Sequence, residues 1–476
     1  MSLNIYNSFT NEMEEFKPRK DAPVKMYVCG QTVYDYMHVG HARTYTFFDI
    51  LKRYLEFLGH SVMVVINITD VNDKINDRAE KENRSPWEVA EEFSIVNLED
   101  FDSLGIEADA YPRASEYIEE IIDHIEKLEE EGFAYEAKGD VFFDVRKFDK
   151  YGELSNQRLE DMRTEREDEV ISTDKKRNPE DFVLWRAREG SSHSPVWSSP
   201  WGEGVPGWHI ECSVMALSLL GDRIDIHGGG SDLLFPHHEN EIAQVEGVTG
   251  DKWVDFWMHT GMVHIEGEKM SKSLGNIVSA REVLEEYGPG AIRLMMAGSH
   301  YREPMDFSRA RAEEALKNYQ KLKNTVKGLK AEIKTSNTIP DKLGEEDLDF
   351  LETLFELRTK FIEAMNDDFN TPQALKYFYE IESLSNSYLS KDPKKPVMKR
   401  FLRIMLELGS IIGIFEEEKI EEGESRKVDS LLRKILGLRE ELRKEEKYEI
   451  ADSIRDKIEE AGIEVEDSDR GPRWKI

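Results

Sequence analysis

Two short segments of this chain carry side chains that could stabilise negative charge on a nucleotide. The first is HVGH, with Gly40 between the donors His38 and His41, and the second, far downstream, is KMSKS, with the cations Lys269 and Lys272. Attack on the α-phosphorus of ATP builds up negative charge in a crowded transition state, which needs donor and cationic groups from separate segments. Each segment alone is also typical of a turn or a basic surface loop. Their order and spacing favour ATP chemistry.

A third segment, HGGGSD at residues 227–232, follows a short apolar run. Consecutive glycines would let a ligand lie against the backbone, and Asp232, two residues after Gly230, could accept hydrogen bonds from a ribose diol. The alternative is a strained turn that needs positive φ angles. Because the segment accompanies HVGH and KMSKS, we expect a nucleoside at Gly230 and Asp232.

Four further residues could hold a metal ion. Pro236 fits the first turn of a helix, in which His237 and Glu241 lie four residues apart and share one face. With Cys29 and Cys212 they would form a donor set suited to tetrahedral zinc. On spacing alone there is an alternative, since a cysteine is often a small buried hydrophobe and a run such as HHENE is often a solvated helix start.

A β-α-β unit must position the HVGH segment. Residues 25–30 predict a strand, 44–59 carry apolar residues at helical spacing, and 61–68 predict a second strand. The second strand shows no alternation, which is typical of a parallel strand buried on both faces. Ligands bind beyond the carboxyl ends of the strands of such sheets, where HVGH falls. The pattern resumes with a strand and loop at 223–232.

The rest of the chain predicts an insertion and a helical second half. Residues 116–131 form an acidic amphipathic helix, and 133–200 hold short strands and a segment rich in Pro, Ser and Trp. Further helices are expected over 281–296, 308–333, 345–418 and 427–461, with an acidic linker before the last helix and a strand-like end over 462–476. This half is therefore predicted to be mainly a helical bundle followed by a small module.

Composition narrows the class of protein. A chain of 476 residues, 39% hydrophobic and 34% charged, is too long for one core and predicts about three soluble domains. Its two cysteines cannot form a disulfide framework, which favours a reducing cytoplasm. No window approaches the roughly 20 apolar residues of a membrane span, and no export signal is evident. The net charge of −33 argues against a generally basic nucleic-acid coat but not against a local basic track.

These segments together resemble the cysteinyl-tRNA synthetase family of class I aminoacyl-tRNA synthetases. The resemblance rests on CGQTVYDYMHVGHAR (29–43), NITD (67–70), GWHIEC (207–212), IHGGGSDLLFPHHENEIAQ (226–244), KMSKSLGN (269–276), DDFNTP (367–372) and ADSIRDKIEEAGIEVED (451–467). It covers nearly the whole chain in order. Departures are small: Gln31 stands where proline is usual, Val39 replaces isoleucine, and Pro472 and Lys475 alter the tail. They bear on tRNA contacts and not on the reaction.

The resemblance implies an α/β fold, with a Rossmann-like parallel-sheet catalytic domain, an inserted connective domain, an α-helical bundle and a small C-terminal module. The expected boundaries are 1–115 and 201–262 for the two halves of the Rossmann domain, 116–200 for the connective insertion, 263–318 for the KMSKS-bearing stem-contact region, 319–418 for the tRNA-binding bundle and 427–476 for the anticodon-binding module. A monomer in the cytoplasm is expected.

The resemblance also implies roles for the residues at the amino-acid end. Cys29, Cys212, His237 and Glu241 would hold one zinc ion per chain, which would bind the substrate thiol as a thiolate and so reject serine. The amino-acid pocket would be shaped by Gly30, Thr69 and Trp208. The last two could equally be packing residues.

ATP, by the same resemblance, would lie with its triphosphate over the HVGH turn and its ribose near the HGGGSD segment. The histidines of HVGH would donate to phosphate oxygens. The lysines of KMSKS, above all Lys272, would be brought in by a mobile loop to neutralise the departing pyrophosphate, with Mg²⁺ assisting. A ribose hydroxyl of the tRNA 3′ adenosine would then attack the mixed anhydride.

The expected partners are L-cysteine, ATP and tRNA(Cys). Trp474 is a candidate for stacking on an exposed anticodon base, or else for anchoring the terminal module's own core. Two other functions share these motifs: a ligase that passes activated cysteine to a small amine, and an inactive paralogue retained as an RNA-binding protein. The 427–476 module argues against the first, and the intact HVGH, KMSKS and metal-ligand candidates argue against the second.

Overall fold

A computed structural model describes residues 2–19, 22–158, 175–188, 195–270, 275–336 and 342–415, together with 454, 464–466 and 473–475 near the C-terminus. The chain divides into two compact units, residues 1–414 and 415–476. The first unit begins with an antiparallel hairpin of β1 (Asn4–Asn7) and β2 (Glu12–Glu15).

The core of the first unit is a four-stranded parallel sheet. Its strands are β3 (Val24–Val28), β4 (Val62–Ile66), β10 (Ile224–Gly230) and β11 (Val254–Thr260), in the order β11-β10-β3-β4. The apolar runs of β3 and β4 suit this position because helices cover both faces, and Tyr27 and Val28 are fully buried. The α/β class predicted from the sequence is confirmed.

Helices surround this sheet. They are α1 (Val39–Phe57), α2 (Asp73–Glu82), α3 (Pro86–Leu104), α5 (Trp208–Leu220) and α6 (Glu239–Thr249). Helix α1 begins before its predicted start at residue 44, because His38 caps it: its side chain accepts a hydrogen bond from the His41 N–H. In α3 a capping box of Ser85 and Glu88 fixes the N-terminus.

A second sheet interrupts the parallel sheet between β4 and β10. After helix α4 (Ile118–Glu130), five antiparallel strands follow in the order β5-β6-β7-β9-β8. They are β5 (Ala134–Ala137), β6 (Asp140–Phe143), β7 (Phe182–Ala187), β8 (Trp197–Ser199) and β9 (Gly202–Pro206). The inserted sheet therefore extends past the boundary expected at residue 200.

Short strands and then helices follow β11. The segments are β12 (Val263–Ile265), β13 (Glu268–Lys269), α7 (Ala280–Tyr287), α8 (Pro289–Ala297), β14 (Met305–Phe307), α9 (Arg309–Thr335), α10 (Glu345–Asn366), α11 (Thr371–Leu389) and α12 (Lys395–Ile412). The last four pack on one another and on α1, where the Tyr54 hydroxyl donates to Asn366 Oδ1 at 2.9 Å. None of the described helices combines the length and apolar character that crossing a membrane would need.

In the second unit, β15 (Glu464–Glu466) pairs antiparallel with β16 (Arg473–Lys475). These strands match the strand-like end expected over 462–476. The helix expected over 427–461 lies, apart from residue 454, outside the described residues, as does the side chain of Trp474.

Candidate active site

A cleft of about 550 Å³ opens at the carboxyl ends of β3 and β10. This volume suits a ligand of the size of a nucleotide joined to an amino acid. Its lining includes eight of the residues selected from the sequence: Cys29, Gly30, His38, Gly40, His41, Trp208, Gly230 and Asp232. Segments far apart in the chain therefore meet at one site.

The HVGH segment forms the first turn of α1 at the rim of the cleft. Its two imidazole rings stack with centroids 3.5 Å apart, and His38 Nδ1 accepts from the His41 N–H at 3.2 Å. A Cβ on Gly40 would lie 3.0 Å from the His38 ring and 3.1 Å from the Met270 Cε. Only glycine therefore lets the methionine of KMSKS approach the histidine turn without displacement.

The glycines of HGGGSD continue strand β10, and none of the three has a positive φ angle. The alternative of a strained turn is therefore wrong. A Cβ on Gly228 would lie 2.0 Å from Phe48, and one on Gly230 would lie 2.4 Å from Asp232 Oδ1. The Asp232 carboxylate thus lies directly against the backbone of Gly230 and lines the cleft, and its contact with a ribose stays a prediction.

The four predicted metal ligands converge beneath the cleft. Cys29, Cys212, His237 and Glu241 are all buried, and their ligand atoms lie within 4.8 Å of one another. Glu241 Oε1 is 3.5 Å from Cys29 Sγ and 3.0 Å from His237 Nε2. Two sulfurs, one imidazole and one carboxylate oxygen in such a cluster are a donor set that fits tetrahedral zinc.

The pKa values of these four side chains are shifted because the groups are buried and share protons through hydrogen bonds. Burial raises the pKa of the Cys29 thiol well above its usual range, whereas the hydrogen bond from Cys29 lowers the pKa of Cys212 to about 7. Burial lowers the pKa of His237, but the charges of Glu241 and Cys212 outweigh it and hold this pKa at about 10. Burial also raises the pKa of Glu241. A divalent cation would replace these protons and neutralise the buried negative charge.

A second set of donors shares two members with the first. Cys29, His227, His238 and Glu241 also bring their ligand atoms within 4.8 Å of one another, with His227 Nε2 at 3.2 Å from Glu241 Oε2. Sequence analysis did not identify His227 or His238 as ligand candidates. The signal was present for His238, three residues before Glu241 on a helix. Because zinc prefers thiolates, the set with two cysteines fits better.

His209 orients one ligand from behind. Its Nδ1 lies 2.7 Å from Nδ1 of His237, so that Nε2 of His237 faces Glu241. Partners of this kind set the tautomer and ring orientation of metal-binding histidines. His209 also escaped the sequence analysis, although it lies three residues before Cys212 and hence on the same helix face.

Of the residues predicted for the amino-acid pocket, Gly30 and Trp208 line the cleft, whereas Thr69 is buried. The Gly30 N–H donates to Asn67 Oδ1 at 2.7 Å, and a Cβ on Gly30 would lie 1.6 Å from the Asn67 carbonyl oxygen. The Trp208 ring lies 4.6 Å from that of His237 and lines the cleft. Thr69 is buried behind Asn67, whose Nδ2 donates to its hydroxyl at 3.1 Å. Asn67, not selected from the sequence, therefore connects two of the predicted residues.

The KMSKS segment is only partly described. Lys269 ends the hairpin of β12 and β13, where it pairs with His264. Residues 271–274, including Lys272, lie outside the described part of the chain, as does the side chain of Lys269. The expectation that these two lysines approach ATP remains a prediction.

Two protein-family models match this chain. The family model "tRNA synthetases class I (C) catalytic domain" matches residues 15–318, and the model "DALR domain" matches residues 360–416. The first match spans the parallel sheet, the inserted sheet, the cleft and KMSKS. The second lies in the helical bundle.

Solved structures show the same fold at low sequence identity. Methionyl-tRNA synthetase of Mycobacterium tuberculosis with methionyl-adenylate has a TM-score of 0.62 at 16% identity and covers 82% of this chain and 90% of its own. A leucyl-tRNA synthetase ternary complex of Agrobacterium radiobacter has a TM-score of 0.65 at 13% identity, with 84% and 85% covered. The family model matched over residues 15–318, on a chain with this shared fold, places the protein among the class I aminoacyl-tRNA synthetases.

Full-length relatives identify the branch of this class. A cysteine–tRNA ligase of Thermococcus onnurineus is 45% identical over 479 residues, covering 100% of this chain and 99% of the relative. The enzyme of the same name from Thermococcus kodakarensis is 47% identical over 482 residues with the same coverage, and that of Methanococcus maripaludis strain C7 is 43% identical over 472 residues. The chain belongs to the cysteine–tRNA ligase family.

Proposed function

We propose that this chain activates L-cysteine with ATP and transfers it to the 3′ end of tRNA(Cys), with one zinc ion bound by Cys29, Cys212, His237 and Glu241. The observation that carries the proposal is the buried four-donor cluster beneath a cleft whose rim is the HVGH turn. One end of the cleft thus suits a thiol, and the other suits a nucleotide.

The donor cluster supports selection of cysteine over serine. Zinc held there would take the substrate sulfur as a thiolate ligand, which a serine hydroxyl, with its far higher pKa, replaces poorly. An apolar pocket alone separates substrates that differ by one small group by only about 1–3 kcal/mol. Trp208 and Gly30 border the same end of the cleft and would orient the amino acid.

Adenylation would use the groups at the other end. The substrate carboxylate is the nucleophile, so no serine or cysteine nucleophile of the chain is needed. His38 and His41 would donate to phosphate oxygens at the N-terminus of α1, whose dipole favours anions. Gly230 and Asp232 would hold the ribose. Lys269 and Lys272 would neutralise the charge of the departing pyrophosphate, and Mg²⁺ would supply further positive charge there.

Transfer then requires tRNA. The DALR match at 360–416 supports a tRNA-binding role for the bundle, and we assign anticodon contacts to the module over 427–476, including Trp474. The tRNA-dependent function is therefore favoured over a ligase that uses a small amine. We further propose that the chain acts as a monomer in the cytoplasm.

Pyrophosphate exchange, measured with cysteine or serine and followed by aminoacylation of tRNA(Cys), tests this proposal. We expect cysteine-dependent exchange without tRNA, aminoacylation with it, and serine exchange weaker by on the order of 1000-fold or more. Removal of zinc by a chelator should abolish cysteine exchange, and added zinc should restore it.

Three outcomes would contradict parts of the proposal. Absence of exchange with every amino acid indicates an inactive paralogue. Exchange without aminoacylation of any tRNA indicates a ligase for another acceptor. Serine activation close to that of cysteine shows that the metal does not select the substrate.

A further inference from the structure

The HVGH turn and the hairpin that leads into KMSKS are tied together by the backbone. Val39 N–H donates to the Val278 carbonyl at 3.0 Å, and Ala280 N–H donates to the Met37 carbonyl at 2.8 Å. The opposite side of the hairpin starts at Gly261, whose N–H donates to the Tyr301 carbonyl at 2.7 Å. The C-terminal end of the segment 262–278 is therefore fixed at the start of α1, and its N-terminal end is fixed to the segment that contains Tyr301.

Arg43 lies in the second turn of α1, and its buried side chain contacts the residues that lead into this hairpin. Its Nη1 donates to the Gly261 carbonyl at 2.8 Å and to the Met262 carbonyl at 3.1 Å. Its Nη2 donates to the His300 carbonyl at 3.0 Å, and also to the carbonyls of residues 301 and 303. One side chain thus joins the HVGH helix to the two segments that flank β12 and β14.

The chemistry of this contact is specific to arginine. Arg43 is only 2% exposed, and the five hydrogen bonds it donates all go to main-chain carbonyl oxygens. Burial lowers its pKa to about 10, which still leaves it charged near neutral pH. A guanidinium presents its donors in a rigid planar fork, whereas a lysine ammonium presents three from one point. Lysine could therefore hold one of the two segments but not both.

We infer that Arg43 is a positioning residue for adenylation, which holds the HVGH turn and the KMSKS-bearing hairpin in register. Gly261 and Met262 line the cleft beside the HVGH residues, so a shift between the two segments changes the ATP end directly. The metal cluster is built on the residue after β3, on α5, on the turn before α6 and on α6, and none of its four residues is a hydrogen-bond partner of Arg43. This inference rests on the proposed function.

The test compares Arg43→Lys with Arg293→Lys. Arg293 is the matched control because it is also fully buried and also donates to carbonyls, those of Leu104 at 2.9 Å and Ile412 at 2.8 Å, as well as to Asp49. Both substitutions should lower the melting temperature. Only Arg43→Lys should impair pyrophosphate exchange per folded molecule.

For Arg43→Lys we expect a fall of about 10- to 100-fold in kcat/KM for ATP, with KM for cysteine and the zinc content within about twofold of the unsubstituted protein. The inference is overturned if Arg43→Lys keeps full exchange activity, or if its ATP and cysteine parameters change together as for a general loss of structure. Exchange by the unsubstituted protein separately tests the proposed function.

Gly261→Ala gives an independent check should Arg43→Lys fail to fold. A Cβ on Gly261 would lie 2.4 Å from the Glu303 carbonyl oxygen and 2.7 Å from that of Arg302, which forces the same two segments apart. We expect the same selective loss at the ATP end. Unchanged ATP kinetics in this variant would overturn the inference.

Discussion

The two ends of the cleft are built in different ways. At the metal end, four buried donors from the end of β3, from α5 and from the start of α6 with the turn before it lie within 4.8 Å of one another, and Nδ1 of His209 lies 2.7 Å from Nδ1 of His237. At the nucleotide end, the groups come from the first turn of α1, the end of β10 and a short hairpin, and they meet at the surface of a cleft of about 550 Å³.

This difference separates two tasks. In the proposed mechanism, choice of the amino acid would depend on an arrangement that packing holds fixed, because buried polar groups tolerate little displacement. Chemistry on ATP would depend on the relative position of segments that are far apart in sequence. Damage to one end should therefore leave the activity of the other end measurable.

The largest effect is expected at the metal end, from Glu241→Gln. Loss of the carboxylate removes a ligand from a buried cluster, at a cost of about 4 kcal/mol, or on the order of 1000-fold in kcat/KM for cysteine. The neighbouring Glu239→Gln is the matched control. Glu239 is also buried, but it accepts from the Gly152 and Ser155 N–H groups at 2.8 Å each.

Zinc content by elemental analysis and pyrophosphate exchange measure this pair. Glu239→Gln should lose stability while keeping zinc and cysteine activation. Equal zinc loss in both variants would show that burial at the start of α6, and not the donor set, controls the metal.

The two donor sets are separated by His237→Asn and His227→Asn. If the set with two cysteines holds the metal, the first substitution should weaken zinc binding by on the order of 100-fold, and the second by less than about tenfold. Competition with a chromophoric chelator measures both. The reverse order would move the ion to the set that contains His227 and His238.

A smaller effect is expected at the nucleotide end, from Gly40→Ala. The added methyl group meets the His38 ring and Met270, so pyrophosphate exchange should fall by about tenfold while zinc content stays unchanged. Gly328→Ala in α9 is the control, because its Cβ would meet only Leu389 Cδ1 at 3.7 Å. It should keep full activity and gain up to about 1 kcal/mol of stability. Normal pyrophosphate exchange by Gly40→Ala would show that the close contact of Met270 with the HVGH turn does not affect activity.

A separate effect concerns the free energy of unfolding alone. Burial lowers the pKa of His259 to about 3, and its Nε2 lies 2.8 Å from His238 Nδ1. Below a pH of about 6.5 this imidazole is protonated in the unfolded chain but stays neutral in the folded protein. The free energy of unfolding therefore falls by about 1.4 kcal/mol per pH unit as the pH decreases from there towards 3.

His259→Gln should remove the contribution of this one protonation to the pH dependence of the free energy of unfolding. Urea unfolding between pH 7 and 5 measures it, with the half-buried His60→Gln as the control. If the free energy of unfolding of His259→Gln depends on pH as steeply as that of the unsubstituted protein, the assignment of a neutral buried imidazole is contradicted.

The sequence predicted the metal end better than the nucleotide end, for a physical reason. Glu241 follows His237 by four residues, and Cys29 directly follows β3, so local periodicity predicts that these side chains lie close together. The sequence predicts a glycine-rich turn at His227 because glycine usually weakens a strand, yet β10 continues through residues 228–230. Phe48 occupies the space above Gly228, a tertiary contact that no local pattern contains.

Contacts between distant segments also escaped the sequence analysis. The NITD motif gives no role to Asn67, yet its side-chain oxygen accepts a hydrogen bond from the Gly30 N–H and lies 3.7 Å from Cys212 Sγ. Arg43 has the same character, since its partners lie more than 200 residues away in the chain. Such residues are determined by how β3, α1 and the later strands pack, and spacing along the chain does not report it.

X-ray absorption at the zinc edge, with and without bound cysteine, tests the central claim most directly. Zinc–sulfur distances are about 2.3 Å and differ clearly from zinc–nitrogen and zinc–oxygen distances of about 2.0–2.2 Å. If Cys29 and Cys212 hold the ion and the substrate thiolate joins them, the spectrum should show two sulfur ligands without cysteine and three with it. A single sulfur in the free enzyme, or a count that cysteine leaves unchanged, would contradict the claim that this cluster selects the amino acid.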